Sequence, residues 1–127
     1  MNYHVIELDG EEIKLRLRSA DSVEIEKKTG VKLLDYIQDY SLTTVTTLLK
    51  YMRKSVVPNF SDKDAYELYD RLVDNGYTLE DIVFKVIYET AVVSGFLKKS
   101  DLEEMLQFKE ESQATLKEKK KQEVLQS

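Results

Sequence analysis

The chain has 127 residues, of which 42% are apolar and none is cysteine, and its formal net charge is −5. This length allows one domain with a modest core and excludes two independent domains. The lack of cysteine excludes disulfides and zinc–thiolate sites, and the negative net charge disfavours general binding to the phosphate backbone of nucleic acids.

Membrane insertion and secretion are also not indicated. No apolar run approaches the roughly 20 residues of a transmembrane helix, and the first residues lack the basic and apolar segments of a signal peptide. We therefore expect a soluble, intracellular protein with neither a membrane nor a nucleic acid among its partners.

Two strands are predicted at the N-terminus, over residues 3–8 and 12–17. Between them, Asp9-Gly10 suits the positive backbone angles of a two-residue hairpin turn. Apolar and charged residues alternate in the second strand, which predicts one buried and one solvent-facing side. Because a two-stranded ribbon is marginally stable alone, we expect it to pack on helices or to pair with a second copy through its edges.

Five or six helices are predicted after the hairpin, without another strand. In the first, Asp21 is suited to be the N-cap, with Glu24 three residues later, and Gly30 offers the left-handed C-terminal stop. A second helix is predicted from Val31 to about Ser41.

The third and fourth predicted helices are separated by Pro58, the one proline of the chain. The third begins at Leu42, and its threonines lower its intrinsic helix propensity, so packing must stabilise it. The fourth opens at Ser61 and closes at Asn75-Gly76. Its predicted buried positions are Ala65, Leu68 and Leu72.

The segment from Thr78 to Leu97, hereafter the apolar helix, is apolar on nearly every side. Thr78 and Asp81 are predicted to cap its start, and Gly95 to mark its end. A surface helix of a small domain usually carries one apolar stripe. This helix must therefore be covered by its own fold, by a second copy or by a different protein.

A last helix is predicted to open with the capping-box pattern of Ser100 and Glu103 and to run through Leu106. From Lys109 onward the composition changes to five Lys and four Glu among few apolar residues, with no sustained heptad repeat. We therefore predict a single domain over residues 1–108 and a charged, flexible or frayed-helical tail over residues 109–127.

Catalysis is not indicated. His4 is the lone histidine, and the four glycines are isolated, which excludes a phosphate-binding glycine loop. Close carboxylate pairs lie in first turns of predicted helices, where negative charge interacts favourably with the helix dipole. These pairs are Asp21/Glu24, Glu80/Asp81 and Glu103/Glu104. We predict no catalytic residue, no metal site and no cofactor.

A DNA-reading pair of helices is also not expected. The helices on either side of Gly76 are spaced as in a helix-turn-helix, but the second offers only Lys85 to base edges. Tyrosines beside core positions are predicted to pack half-buried. They are Tyr36, Tyr66, Tyr69 and Tyr88.

The order of these parts resembles a known family. After the hairpin come the segment 25–31 leading into Leu33-Leu34-Asp35-Tyr36, a helix with Leu48-Leu49, and the segment 76–82 before an apolar helix ending in Ser94-Gly95-Phe96. Over residues 3–108 this order is similar to that of the tail assembly chaperones of long-tailed phages and prophages of Gram-positive bacteria.

The resemblance implies a protein without enzymatic activity that coats the long, apolar tape measure protein and keeps it soluble while tail-tube subunits polymerise around it. It also implies self-association, with the tail tube protein as a second candidate partner. The expected location is the cytoplasm of the infected host, without retention in the mature virion.

We expect tape-measure helices to lay their apolar stripes on exposed patches of this protein. The candidate partner-binding residues are Val83, Ile87, Phe96, Leu97, Met105 and Leu106. The alternative that they belong to the internal core stays open, above all for Val83 and Ile87.

The predicted fold class is α+β, mostly α. Two other functions stay open: a structural virion component of the tail or of head completion, which would usually contain more strands, and a small regulatory module that binds another protein.

Overall fold

The hairpin forms where the sequence predicts it. In the computed structural model, which describes residues 2–107, β1 (His4–Leu8) pairs antiparallel with β2 (Glu11–Leu15). Asp9 and Gly10 have φ angles of 53° and 79°, the positive angles of a tight hairpin turn. The predicted alternation is confirmed, since one side of the sheet is buried. That side is formed by Ile6, Leu8, Ile13 and Leu15.

The first helix, α1 (Ser19–Thr29), begins before Asp21, so the prediction of Asp21 as N-cap is wrong. Arg18 is the N-cap, and its main-chain N–H donates to the Asp21 carboxylate at 2.9 Å. The Arg18 guanidinium binds the same carboxylate at 3.0 Å, which fixes the N-cap three residues earlier than predicted. Gly30 ends the helix as predicted, with φ of 71°.

A single turn, α2 (Leu33–Tyr36), replaces the longer second helix of the prediction. The Asp39 carboxylate accepts hydrogen bonds from the Ser41 main chain and the Thr44 hydroxyl, and this turn stops α2 and starts the next helix. Ser41 is the N-cap of α3 (Leu42–Lys54) and accepts from the Thr44 N–H. The buried hydroxyl groups of α3 thus bond locally, as buried polar groups must.

The fourth helix, α4 (Asp62–Asp74), begins and ends as predicted. Ser61 and Asp64 form a reciprocal capping box, in which each side chain accepts from the other residue's N–H. Asn75 is the C-cap and Gly76 follows with φ of 92°. The predicted buried positions Ala65, Leu68 and Leu72 are confirmed.

The apolar helix consists of Leu79–Asp81, a π-helical segment Ile82–Ile87 and Tyr88–Val93. Its predicted cap is confirmed, because Thr78 and Asp81 exchange hydrogen bonds of 3.0 and 3.1 Å. The π-helical segment was not predicted. Within it, hydrogen bonds reach five residues back, which spaces side chains around the helix differently from an α-helix.

The predicted end of the apolar helix is also confirmed. Gly95 has φ of 87° and its N–H donates to the carbonyl of Val92, while the Phe96 N–H donates to the carbonyl of Ala91. This pair of bonds is a Schellman motif.

The core of residues 2–97 lies between the hairpin and the helices. The apolar helix packs against β1 and α3, and α3 packs against β2 and α4. Side chains from all of these elements are almost fully buried. The largest include Leu8, Leu15, Leu48, Leu72, Ile82 and Tyr88.

The described residues form two units, 2–97 and 98–107. A helix occupies residues 99–107 of the second unit. Its start differs from the prediction, because the Lys98 N–H donates to the Asp101 carboxylate at 3.3 Å and Ser100 is not the N-cap. A charged carboxylate is a stronger acceptor than the Ser hydroxyl, which explains the choice.

The fold class is α+β and mostly α, as predicted. With the apolar helix counted as one, the described part of the chain holds an N-terminal hairpin followed by six helices. The predicted tail over residues 109–127 lies outside the described residues.

Candidate partner-binding surface

Two of the six predicted partner-binding residues lie in the interior. Val83 and Ile87 belong to the π-helical segment, and each is 1% exposed. Their side chains are covered by the chain itself, so they present no surface to a partner in this conformation. This is the core alternative that the sequence left open.

The other four predicted residues are half-buried. Phe96 and Leu97 follow the Schellman motif at the end of the first unit. Met105 and Leu106 lie in the helix of the second unit. Each of the four keeps some exposed apolar area, which is compatible with a contact but does not by itself form a groove.

The apolar helix is covered because it contacts the rest of the core on several sides. Its π-helical segment packs on α3, and its C-terminal part packs on β1. His4 adds a polar contact, with its Nε2 atom 3.0 Å from the carbonyl oxygen of Lys85. The apolar surface that the sequence offered to a partner is therefore used mainly by the fold.

Exposed apolar surface is found instead on α4. This helix has two apolar stripes: the buried one described above, and an outer one with Tyr66, Tyr69 and Val73 at positions i, i+3 and i+7. Tyr66 is 56% exposed and Val73 is also exposed, while Tyr69 is half-buried. Packing in the core does not explain an apolar stripe on the solvent side of a helix.

Two residues of the outer stripe, Tyr66 and Tyr69, line one wall of a groove, and α3 forms the other wall. The two helices run antiparallel, since Lys50 near the end of α3 meets Asp62 at the start of α4. The groove has a volume of about 320 Å³. Hereafter we call it the α3–α4 groove, and its lining consists of Leu42, Thr43, Thr46, Thr47, Asp62, Tyr66, Tyr69 and Asp70.

The charged groups that line this groove are two carboxylates, those of Asp62 and Asp70. The Asp62 carboxylate binds the Lys50 ammonium at 2.9 Å, and this hydrogen bond, reinforced by charge attraction, lowers the pKa of Asp62. Asp70 lines the groove about two turns further along α4 and makes no ion pair among the described residues. Leu42, three threonines and two tyrosines line the groove beside these carboxylates, so it combines apolar contact area with negative charge.

A cluster of lysines lies next to the Asp62 end of the groove. The ammonium groups of Lys28, Lys50 and Lys54 are 5.9, 5.1 and 5.8 Å from the centre of the Tyr51 ring. Such distances allow cation–π attraction. Lys28 also binds Glu24 at 2.8 Å, and that bond lowers the pKa of the Glu24 carboxyl. The cluster is thus largely engaged within the chain and serves to hold α1 against α3.

An aromatic chain connects the surface to the core below. The exposed Tyr40 ring lies 6.4 Å from the ring of Phe84, which in turn packs edge-on at 5.1 Å against Tyr88. Burial, and then the neighbouring Tyr40 hydroxyl, raise the pKa of Tyr88. These ring contacts pack the residue before the N-cap of α3 against the apolar helix.

A second groove of about 240 Å³ lies between the hairpin and α4. Arg71 crosses it, donating to the carboxylates of Asp9 at 3.0 Å and Glu11 at 2.9 Å and to the main-chain carbonyl of Leu8. These bonds raise the pKa of Arg71. The bonds tie the hairpin turn to α4, so we interpret this groove as structural.

Within residues 2–107 no group of three or more His, Cys, Asp or Glu side chains is placed to hold a metal ion. The same part of the chain has no helix with the length and apolar character needed to cross a bilayer. No protein-family model, curated protein or solved structure matches the chain. The family resemblance is therefore carried by the sequence pattern alone.

The sequence contained a signal for the groove that the half-buried interpretation of the tyrosines missed. Tyr36 and Tyr69 are half-buried as predicted, but Tyr66 is exposed and Tyr88 is fully buried. The signal is the second apolar stripe of α4, which is offset from the first by one residue, or about 100° around the helix. A helix packed on one core needs one stripe, so the second stripe indicates a surface.

Proposed function

We propose that the protein is a non-enzymatic tail assembly chaperone that binds the tape measure protein and keeps it soluble while the tail tube assembles. The sequence resemblance over residues 3–108 supports this function, and the mostly helical α+β fold with an N-terminal hairpin is consistent with it. The observation that carries the proposal is the α3–α4 groove with its exposed Tyr66. The protein acts in the host cytoplasm and is not retained in the mature virion.

The occupant of the groove is one amphipathic helix of the tape measure protein, with an apolar stripe flanked by Lys or Arg. The antiparallel helices α3 and α4 lie on either side of a channel. Side chains at positions i, i+3 and i+7 of a third helix fit into it. Asp70, which forms no ion pair among the described residues, is complementary to a basic flank, whereas Asp62 is already paired with Lys50. Tyrosine adds contact area at low entropic cost, which suits a surface that must accept many similar helices.

Self-association belongs to the same proposal, since a long tape measure needs many chaperone copies along its length. The tail tube protein is a second partner in the proposed function.

The test is co-expression of the full chain with the large helical protein encoded beside it, followed by pull-down and light scattering of the soluble fraction. We expect Tyr66→Asp and Leu42→Asp each to reduce the co-purified tape measure protein at least about tenfold, as for a central contact residue. Both side chains are exposed, Leu42 by 52%, so folding should not change.

The matched control is Val23→Asp. Val23 lies on α1, outside the groove, and is 49% exposed, close to the value for Leu42. Its replacement should leave the complex intact. Equal loss in all three variants would indicate a general solubility effect and contradict the groove as the binding site.

The half-buried residues predicted from the sequence enter the same assay as Phe96→Asp and Leu97→Asp. Loss of the complex in these variants with normal thermal unfolding would move the site to the end of the apolar helix. If the wild-type chain and the long helical protein do not co-purify at all, the chaperone function is wrong. Presence in purified particles would then favour a structural virion component, and absence would favour a regulatory module.

A further inference from the structure

The hairpin has one edge that the fold uses and one that it leaves open. On the outer edge of β2, the Arg53 Nη1 atom donates to the carbonyl of Lys14 at 3.0 Å, and the Arg16 N–H donates to the carbonyl of Met52 at 3.1 Å. The end of α3 therefore covers this edge from Lys14 to Arg16. Nothing comparable is seen along β1 among residues 2–107.

The orientation of the β1 main chain follows from the pairing. In an antiparallel ladder, the N–H and C=O of one residue point to the same side, and this side alternates along the strand. The Lys14 carbonyl points away from β1, so the pair Val5↔Lys14 is not hydrogen-bonded within the ladder. The main-chain groups of Val5 and Glu7 therefore point outward from the open edge.

The side chains at this edge are accessible. Val5 is 45% exposed and Glu7 is exposed, because both lie on the face of the sheet opposite the buried Ile6 and Leu8. An open edge with free N–H and C=O groups is a template for another strand. Proteins that avoid such pairing place lysine or proline on the edge, and β1 has neither.

We propose that a second copy of the chain pairs its own β1 with this edge, antiparallel, so that the two hairpins form one continuous four-stranded sheet. The symmetry axis passes beside Ile6, which places Val5 of one copy opposite the partner's Glu7. In this register every outward N–H and C=O of Val5 and Glu7 is satisfied, as buried main-chain groups require. The two buried faces also become continuous through Ile6 and its equivalent.

Charge favours this register over the one in which the symmetry axis lies one residue closer to the hairpin turn. An axis at Glu7 would place two glutamates directly opposite each other, which destabilises a cross-strand pair. With the axis at Ile6, each glutamate meets a valine instead. A strand that can pair with itself without opposing like charges suits a second copy, and a closed twofold dimer of this kind is the commonest form of self-association.

The first test is Val5→Pro in the full chain. The Val5 N–H faces outward, so proline removes no bond of the hairpin, and proline is tolerated on edge strands. We expect light scattering coupled to size-exclusion chromatography to show a dimeric wild-type unit that falls to half its mass in the variant. The matched control is Lys14→Pro. Lys14 is the β2 residue paired with Val5 and lies on the other edge of the hairpin, so this variant should keep the wild-type mass.

The second test fixes the register and does not depend on proline. Because the chain has no cysteine, Val5→Cys and Glu7→Cys each introduce a single thiol. Hydrogen-bonded pairs are about 5.5 Å apart between Cα atoms, within disulfide range. We expect mild oxidation of the two variants mixed together to give mainly the mixed disulfide between copies.

Several results would overturn the proposal. A monomeric wild-type chain at high concentration excludes edge pairing, and efficient self-linking of Val5→Cys alone would place the axis at Val5 instead of Ile6. The inference is independent of tape-measure binding, since mass and cross-linking are measured on the chain alone. Failure here and failure of the α3–α4 groove variants can therefore be told apart.

Discussion

The apolar helix and α4 use their apolar residues in opposite ways. The apolar helix has almost no polar face, and its side chains are buried between the hairpin and α3. The helix α4 has a lower apolar content, but it divides that content between a buried stripe and a stripe that faces the solvent. A continuously apolar helix therefore marks the centre of this core, whereas a second stripe on an amphipathic helix marks an accessible surface.

The strongest way to break this comparison is to truncate one residue on each helix. Ile87→Ala on the apolar helix should lower the free energy of unfolding by about 2–5 kcal/mol, because it leaves a cavity in a packed core. Tyr66→Ala on α4 should change it by no more than about 0.5 kcal/mol, because its side chain is mostly exposed. Urea denaturation followed by circular dichroism measures both values. Similar losses in the two variants would show that Tyr66 belongs to the core.

Local signals in the sequence predicted much of the fold. The turn at Asp9-Gly10, the capping boxes of α4 and the apolar helix, and the end at Gly95 each depend on residues within one or two turns. Two predicted N-caps were wrong for one reason. In both helices, an aspartate three residues after the true N-cap accepts a hydrogen bond from the N-cap main-chain N–H. Asp21 accepts from Arg18, and Asp101 accepts from Lys98.

Burial could not be predicted to the same degree, because it depends on contacts between distant segments. The sequence left open which partner covers the apolar helix, and contacts with β1 and α3 decide this. The π-helical segment Ile82–Ile87 has no local signal. Tyrosine is compatible with either environment, so Tyr66 and Tyr88 received the same prediction and lie at opposite extremes of exposure.

Removing the Tyr88 hydroxyl should change stability less than truncating Ile87, and in the opposite direction. The Tyr88 hydroxyl is buried, and no hydrogen-bond partner lies in bonding geometry to it within the described residues. Tyr88→Phe should therefore raise the free energy of unfolding by about 1 kcal/mol, since a buried polar group without a partner costs roughly 1–3 kcal/mol. The control is Tyr66→Phe, because the Tyr66 side chain is mostly exposed and does not contact Tyr88 in the aromatic cluster. A loss of stability in Tyr88→Phe would mean that the hydroxyl is bonded after all.

The smallest expected effect concerns the ion pair that joins α3 to α4 at the groove. The bond from Lys50 lowers the pKa of Asp62 in the folded state. The stabilising contribution is therefore complete above the unfolded pKa of about 3.9 and is lost as the pH falls through the folded value. The Asp62 carboxylate is largely exposed, so solvent screening keeps the contribution small.

Asp62→Asn should accordingly lower the urea midpoint slightly near neutral pH and leave it unchanged in acid, below the folded pKa, where the wild-type carboxyl is also neutral. Asp70→Asn is the matched control, because Asp70 lines the same groove and forms no ion pair among the described residues. A loss that persists in acid would indicate that Asp62 stabilises the start of α4 through its shape or hydrogen bonding, and that the charge on this edge of the groove is free to serve a basic partner helix.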